Sequence, residues 1–407
     1  MKHILSNKWT KLVVIVLAMA CCASCLKDDD KTIIFSVGEG QQGGGSDNSG
    51  PAIPGDDNVS PAPDLEFSNI IIPNIHFDVV DYNGKKIIRI NITGIKDEEN
   101  NEYLELEGSD NDDKEQNTWV TIDEDQKGFI VDRASSGTKT DVVFLVDNSG
   151  SMDEEADVIA RDITTWAEEL NKTLDVKFGC IGYDGKITGM ITLVDYTKFS
   201  QVLNREGVSG VDRTKGLGCN SEEEEKKFYE AAAYYSINNA AVESPVAALR
   251  CADYALPFRK GANRVYINFT DEGNTVELAN DLVKSYWNND KSQFSVEFLN
   301  PEFSNWSTTS GTIHTIFSDA DGTVEKGMEE PWKMSEYTGG SYIFTDKAFT
   351  NVSLNDLPVT GAMQNTYTIR IGNIEKYLDG KSHTLKITIK TPDGRLQGER
   401  EFSIKLK

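Results

Sequence analysis

Basic residues are scarce in this chain of 407 residues, which has 41 lysines and arginines against 66 aspartates and glutamates. The net charge of −25 repels nucleic acids and anionic membrane surfaces, and it argues against either as a partner. Histidine occurs only 4 times, without the spacing of zinc ligands. We therefore expect no nucleic-acid partner and no zinc site.

Local motifs for catalysis and calcium binding are also missing. The chain has neither a G-x-S-x-G nucleophile motif nor a G-x-x-x-x-G-K-[S/T] phosphate-binding loop. An EF-hand loop starting at Asp123 would have Gly128 at its sixth position, but it places Lys127 and Ala134 where calcium ligands are required. We expect a protein that is not an enzyme.

Residues 12–26 form an uncharged, mostly apolar run that follows three lysines. The run is shorter than the roughly 20 residues of a transmembrane helix, and its layout is typical of a secretory signal. Cysteines follow small residues at its end, so it resembles a bacterial lipoprotein signal. This resemblance implies a signal peptide at residues 1–25 with lipidation at Cys25. Cys21 and Cys22 are alternative acceptors, and an ordinary cleaved signal is the alternative interpretation.

The lipoprotein resemblance also implies a location. It places the mature chain at the bacterial outer membrane, with the lipid anchor as its only membrane contact. The segment "KDDD" shortly after Cys25 resembles a surface-export tag of lipoproteins from Bacteroidetes-type bacteria. We therefore expect the chain to be exposed on the cell surface.

Composition and periodicity divide the rest of the chain. Residues 26–64 are rich in glycine, serine, proline and aspartate, which predicts a flexible linker. In residues 65–133 and 350–407 apolar and polar side chains alternate, which predicts strands. Because each region alone is small for a stable sheet, we expect both to pack as one antiparallel β-sandwich. Two separate β domains are the alternative.

Residues 138–346 alternate between apolar strand patterns and amphipathic helix patterns. This alternation predicts an α/β domain with a doubly wound, mostly parallel sheet flanked by helices. Ligands of such sheets bind at the carboxyl ends of the strands. Three cysteines lie in this region, Cys180, Cys219 and Cys251, and the sequence leaves open whether two of them, such as Cys219 and Cys251, form a disulfide.

The most informative motif follows the apolar run "DVVFLVD", which is typical of a strand buried on both faces. It is the D-x-S-x-S sequence formed by Asp147, Ser149 and Ser151. A carboxylate and two hydroxyls supply oxygen ligands suited to a hard cation, Mg²⁺ or Mn²⁺. The alternative is that Asp147 and Ser149 only cap the helix that follows.

The longer string "DVVFLVDNSGSM" resembles the start of the metal-ion-dependent adhesion site of von Willebrand factor A domains. The resemblance covers about half the chain and implies that Asp271, in "RVYINFTDEGNT", holds the metal through water. For the third ligand loop it points to Glu243 or Ser244 in "ESPVAALRCA", with Thr214 as a less favoured candidate. A direct Glu243 ligand would add negative charge and weaken the attraction of the metal for an acidic partner.

The resemblance implies a von Willebrand A-type fold and Mg²⁺- or Mn²⁺-dependent adhesion. We thus expect a lipid-anchored surface protein that binds an extracellular protein or glycan. The alternative is a non-catalytic scaffold subunit of an envelope appendage or uptake complex.

Overall fold

The computed structural model describes residues 32–34, 50–108, 115–133, 139–236, 243–275, 294–300, 310–346 and 358–406. The predicted signal with Cys21, Cys22 and Cys25 lies outside these residues, as does most of a helix predicted at residues 275–287. Within the described ranges, no helix combines the length and the apolar character needed to cross a membrane.

Strands and helices are numbered in chain order over these residues. The strands are β1 (Thr32–Ile34), β2 (Ile70–Ile71), β3 (Ile75–Tyr82), β4 (Lys85–Thr93), β5 (Lys96–Asp97), β6 (Thr118–Ile122), β7 (Asp125–Gln126), β8 (Phe129–Arg133), β9 (Lys139–Asp147), β10 (Asp175–Tyr183), β11 (Ile187–Val194), β12 (Gly216–Cys219), β13 (Asn263–Thr270), β14 (Thr312–Phe317), β15 (Tyr342–Phe344), β16 (Thr366–Ile371), β17 (Ser382–Lys390) and β18 (Gln397–Lys405). The helices are α1 (Asp153–Thr173), α2 (Tyr196–Leu203), α3 (Glu222–Tyr235), α4 (Pro245–Ala255), α5 (Lys333–Thr338) and α6 (Pro358–Gln364).

The largest sheet has eight strands in the order β1-β12-β11-β10-β9-β13-β14-β15. All neighbouring strands are parallel except β10 and β11, which are antiparallel. The central strand β9 has β10 on one side and β13 on the other, so the strand order reverses there. A crevice at the carboxyl ends of the strands is expected at such a point. The mostly parallel sheet predicted for this region is confirmed.

Strand β9 is buried on both faces, as its apolar run predicts. Val143 and Leu145 pack into the core beneath α3 and α4, whereas Val142, Phe144 and Val146 pack into the core beneath α1 and α2. These contacts hold the end of β9 rigidly at the centre of the sheet. Cys180, Cys219 and Cys251 are buried and free, so no disulfide joins them.

Two smaller antiparallel sheets of four strands each lie outside this domain, in the orders β3-β4-β16-β8 and β18-β17-β6-β7, and β2 pairs separately with β5. Each contains strands from both flanking segments of the chain: β16 lies between β4 and β8, and β17 lies between β18 and β6. Their inward side chains, such as Ile90, Val120 and Ile387, belong to one hydrophobic cluster. Side chains of the described strands from both flanking segments therefore share one hydrophobic cluster.

The structure corrects the expectation of a free linker at residues 26–64. Strand β1 pairs in parallel with β12 along an edge that would otherwise be open, and Ile33 packs against the core beneath α1 and α2. Further along, Asp56 pairs with the buried amine of Lys127 at 2.5 Å and accepts the Gly128 N–H at 2.8 Å. A buried lysine requires such a partner, so this part of the segment docks on the smaller sheets.

The start of the C-terminal segment also differs from expectation. Helix α6 was expected to belong with the β strands that follow it. Instead Val359 and Met363 pack in the core of the α/β domain. The hydroxyl of Thr360 accepts the indole N–H of Trp166 at 2.7 Å. The buried indole needs an acceptor, and α6 supplies it.

Candidate metal centre

Asp147, the last residue of β9, is fully buried at the carboxyl edge of the large sheet. One of its carboxylate oxygens accepts the backbone N–H of Ser149 at 2.9 Å. The other accepts the hydroxyl of Thr270, the last residue of β13, at 2.8 Å. The carboxylate is thus fixed between the two strands at which the strand order reverses.

The hydroxyls of the D-x-S-x-S loop connect Asp147 to the loop after β13. The Oγ atoms of Ser149 and Ser151 lie 2.9 Å apart, and Ser151 donates to Asp271 Oδ1 at 3.1 Å. Ser149 is 9% exposed, whereas Ser151 is exposed to solvent. The centre therefore opens to solvent at Ser151.

Three acids meet at this point of the sheet. Asp147, Glu243 and Asp271 each offer a carboxylate oxygen, and the three oxygens lie within 4.8 Å of one another. Burial raises the pKa of Glu243 to about 10, and the nearby charge of Asp147 adds to the increase. Burial also raises the pKa of Asp147. In the described part of the chain, neither Asp147 nor Glu243 forms an ion pair with a lysine or arginine.

The donor set fits a divalent cation. Glu243 is 7% exposed, and its Oε2 atom is buried without a hydrogen-bond partner. An unsatisfied buried oxygen is costly, and a cation between the carboxyl groups would both satisfy it and stabilise their ionised forms, which burial and the neighbouring negative charge otherwise disfavour. The available atoms are all oxygens, which hard cations such as Mg²⁺ and Mn²⁺ prefer. Asp147, Glu243 and Asp271 would hold the ion, with the hydroxyls of Ser149 and Ser151 beside it.

The other two candidate ligands make different contacts. Ser244 donates to Asn274 Oδ1 at 2.9 Å and accepts the N–H of Ala247 at 3.2 Å, so it caps the start of α4. The hydroxyl of Thr214 accepts the side-chain amide of Asn148 at 3.2 Å. Of the alternatives for the third loop, Glu243 is the residue that the structure brings to the other carboxylates.

Sequence reasoning missed the residues that hold these loops in place. Asn148 donates to the Thr188 hydroxyl at 2.7 Å and accepts from the same hydroxyl at 2.9 Å. Asn274 is fully buried and donates to Glu329 at 2.6 Å. Asn148 lies inside the D-x-S-x-S motif, but its partners and those of Asn274 come from distant segments, so no local pattern marks them.

No protein-family model matches the chain, and no curated protein does. Solved structures show distant likenesses. An aerotolerance-related membrane protein from Bacteroides fragilis is 15% identical over 56% of this chain and 98% of its own, with a TM-score of 0.29. The pilus adhesin RrgA from Streptococcus pneumoniae is 11% identical over 87% of this chain and 72% of its own, with a TM-score of 0.30.

A third likeness is to proximal thread matrix protein 1 of the mussel byssus, solved with a zinc-occupied metal-ion-dependent adhesion site. It is 11% identical, and the match covers 60% of this chain and 49% of the mussel chain, with a TM-score of 0.34.

Proposed function

We propose that this protein is a surface-exposed binding protein whose centre at Asp147, Glu243 and Asp271 holds Mg²⁺ or Mn²⁺ and uses it to bind an extracellular protein or glycan. The observation that carries the proposal is the group of three carboxylates with the unpartnered Glu243 oxygen. When bound, the ion supplies an open coordination position to a partner at the solvent-exposed side of the centre.

Some residues of the centre fix its position, and others make it accessible to a partner. Asp147 is held by Thr270 and by the Ser149 amide, so it provides a fixed point at the centre of the sheet. Ser151 and Asp271 lie nearer the surface, where a partner can reach the ion. A binding role agrees with the free cysteines, because burial raises the pKa of the Cys180 and Cys251 thiols and keeps them unreactive.

We further propose how the binding domain is held at the cell surface. The two smaller antiparallel sheets form a β-sandwich base for a von Willebrand A-type domain, and lipidation at Cys25 anchors the chain to the bacterial outer membrane. Mass spectrometry of the membrane-extracted protein tests the anchor. A Cys25-terminated, acylated peptide supports it, and an unmodified N-terminal peptide contradicts it.

Metal binding is tested by calorimetric titration of Mg²⁺ and Mn²⁺ into the metal-free full chain in detergent. The comparison is a Ser149→Ala, Ser151→Ala double variant, with circular dichroism melts as the folding control. We expect one ion per wild-type chain and an affinity at least about tenfold lower for the folded variant. A wild-type chain that binds neither ion contradicts the proposal.

Ligand binding is tested separately on glycan arrays and immobilised extracellular proteins. A metal-dependent adhesin should bind in Mg²⁺ and lose that binding in EDTA. Binding that persists in EDTA, on a chain shown to hold the metal, would place recognition elsewhere on the molecule.

A further inference from the structure

The net charge of the metal centre limits which groups of a partner it attracts; this step rests on the proposed metal-binding function. A carboxylate that ligates a cation is ionised. Asp147, Glu243 and Asp271 then bring three negative charges to one point. A divalent ion neutralises two of them, so the loaded centre keeps one net negative charge.

The surroundings reinforce this negative charge. Glu272 follows Asp271 directly, and Glu325 lies near enough to interact with it electrostatically. Glu325 belongs to residues 318–331, the segment after β14, which carries five acidic residues and one lysine. A carboxylate that approaches the ion from this side meets repulsion before it reaches the metal.

Two basic residues at this edge of the described sheet pair with acids of their own and do not offset this field. Arg213 and Lys215 lie in the segment before β12, at the same edge of the sheet. Arg213 already pairs with Asp157 at 2.5 Å, and Lys215 pairs with Asp212 at 3.1 Å. Their charges are therefore balanced locally.

We propose that the centre takes an uncharged oxygen from its partner and disfavours a carboxylate, and that Glu243 sets this preference. An uncharged oxygen, such as a sugar hydroxyl or a peptide carbonyl, avoids the repulsion that a carboxylate meets. Without the Glu243 charge the loaded centre is neutral, and the ion then attracts a carboxylate more strongly.

The test uses the full chain in detergent, loaded with Mn²⁺, because displacement of water from bound Mn²⁺ changes the relaxation of solvent protons. Acetate is the carboxylate probe, and acetamide is the uncharged probe of similar shape. For wild type we expect acetamide to bind at least as well as acetate. The variant E243Q keeps an oxygen at this position without its charge, and we expect its acetate affinity to rise roughly tenfold while acetamide changes little.

Two outcomes contradict the inference in distinguishable ways. Equal acetate affinity in wild type and E243Q, with Mn²⁺ bound by both, overturns the preference and leaves the metal site intact. A wild-type chain that fails to bind Mn²⁺ overturns the proposed function together with this inference.

A second variant covers the case in which E243Q does not retain Mn²⁺. E272Q removes a neighbouring charge without removing any of the three carboxylates, and acetate affinity should rise about twofold. No rise in E272Q overturns the inference. E230Q, on the exposed side of α3, is the matched control and should change neither probe. Methyl glucoside and N-methylacetamide then distinguish a sugar hydroxyl from a peptide carbonyl.

Discussion

Ser244 donates its hydroxyl hydrogen to Asn274 Oδ1 at 2.9 Å, and this bond ties the loop that carries Glu243 to the loop that carries Asp271. The backbone repeats the connection, because Thr275 donates its N–H to the Glu243 carbonyl at 2.8 Å. Asn274 is in turn held by Glu329 at 2.6 Å and by the Phe294 carbonyl at 2.9 Å. A buried asparagine thus helps to set the spacing of the Glu243 and Asp271 carboxylates.

The first prediction concerns this asparagine. Asn274→Ala removes the side-chain link between the two loops, so the Ser244 hydroxyl loses its acceptor and Glu329 loses one of its donors, while Ser295 and Val296 still donate to Glu329. We expect Mn²⁺ affinity to fall about tenfold and stability to fall by about 1–3 kcal/mol. Calorimetric titration and urea unfolding measure the two effects. Asn58→Ala, at an exposed position, is the control. Unchanged Mn²⁺ affinity in a folded Asn274→Ala variant would show that the link does not position the carboxylates.

The second prediction is that metal binding releases a proton. The pKa of Glu243 is raised to about 10, so this carboxyl is protonated at neutral pH before the ion binds. Between pH 6 and 8, each unit of pH raises the ionised fraction about tenfold, and metal affinity should rise accordingly. Titrations in buffers of different ionisation enthalpy count the protons released.

The matched variant for the proton-release experiment is Glu243→Gln, which has no proton to lose. Its affinity should depend on pH much less than that of wild type. A wild-type affinity that stays constant from pH 6 to pH 8 would argue against a protonated Glu243 in the metal-free protein.

The third prediction concerns the amino end of β9. Asp141 is fully buried and accepts from the side chain of Arg259 at 2.6 Å and from its backbone N–H at 2.7 Å. Arg259→Ala leaves this carboxylate buried without its cation, which should cost about 3–5 kcal/mol in urea unfolding. The control is Arg161→Ala, which breaks an exposed pair with Asp162 and should cost less than about 1 kcal/mol. Similar losses of stability in the two variants would contradict the predicted difference between the buried and the exposed ion pair.

The fourth prediction concerns the docked part of the expected linker. Asp56→Ala removes the ion-pair partner of Lys127, whose side chain is 1% exposed, and leaves the ammonium with the Asn373 carbonyl as an acceptor. We expect about 3 kcal/mol of destabilisation and faster protease cleavage within residues 50–64. Asp57→Ala, at the adjacent exposed position, should leave both unchanged. If wild type is cleaved as fast as Asp56→Ala, residues 50–64 do not dock on the smaller sheets in solution.

The sequence by itself predicted the features that depend on local pattern. The apolar run before Asp147 predicted a buried central strand, and the alternation of Ile88, Ile90 and Ile92 predicted a strand of the smaller sheets. Both predictions follow from the periodicity of side chains along a strand. The D-x-S-x-S motif then placed Asp147, Ser149 and Ser151 together, because they are neighbours in the chain.

Only the tertiary structure showed which of Glu243 and Ser244 lies beside the other two carboxylates. The two residues are adjacent, but Glu243 reaches the other carboxylates and Ser244 bonds to Asn274. The ion pair between Asp56 and Lys127 could not be predicted either, because the segment around Asp56 has a composition typical of a linker. These relationships join segments that are distant in sequence, and their distances are fixed by how the sheets and loops pack. No local sequence pattern predicts such a distance.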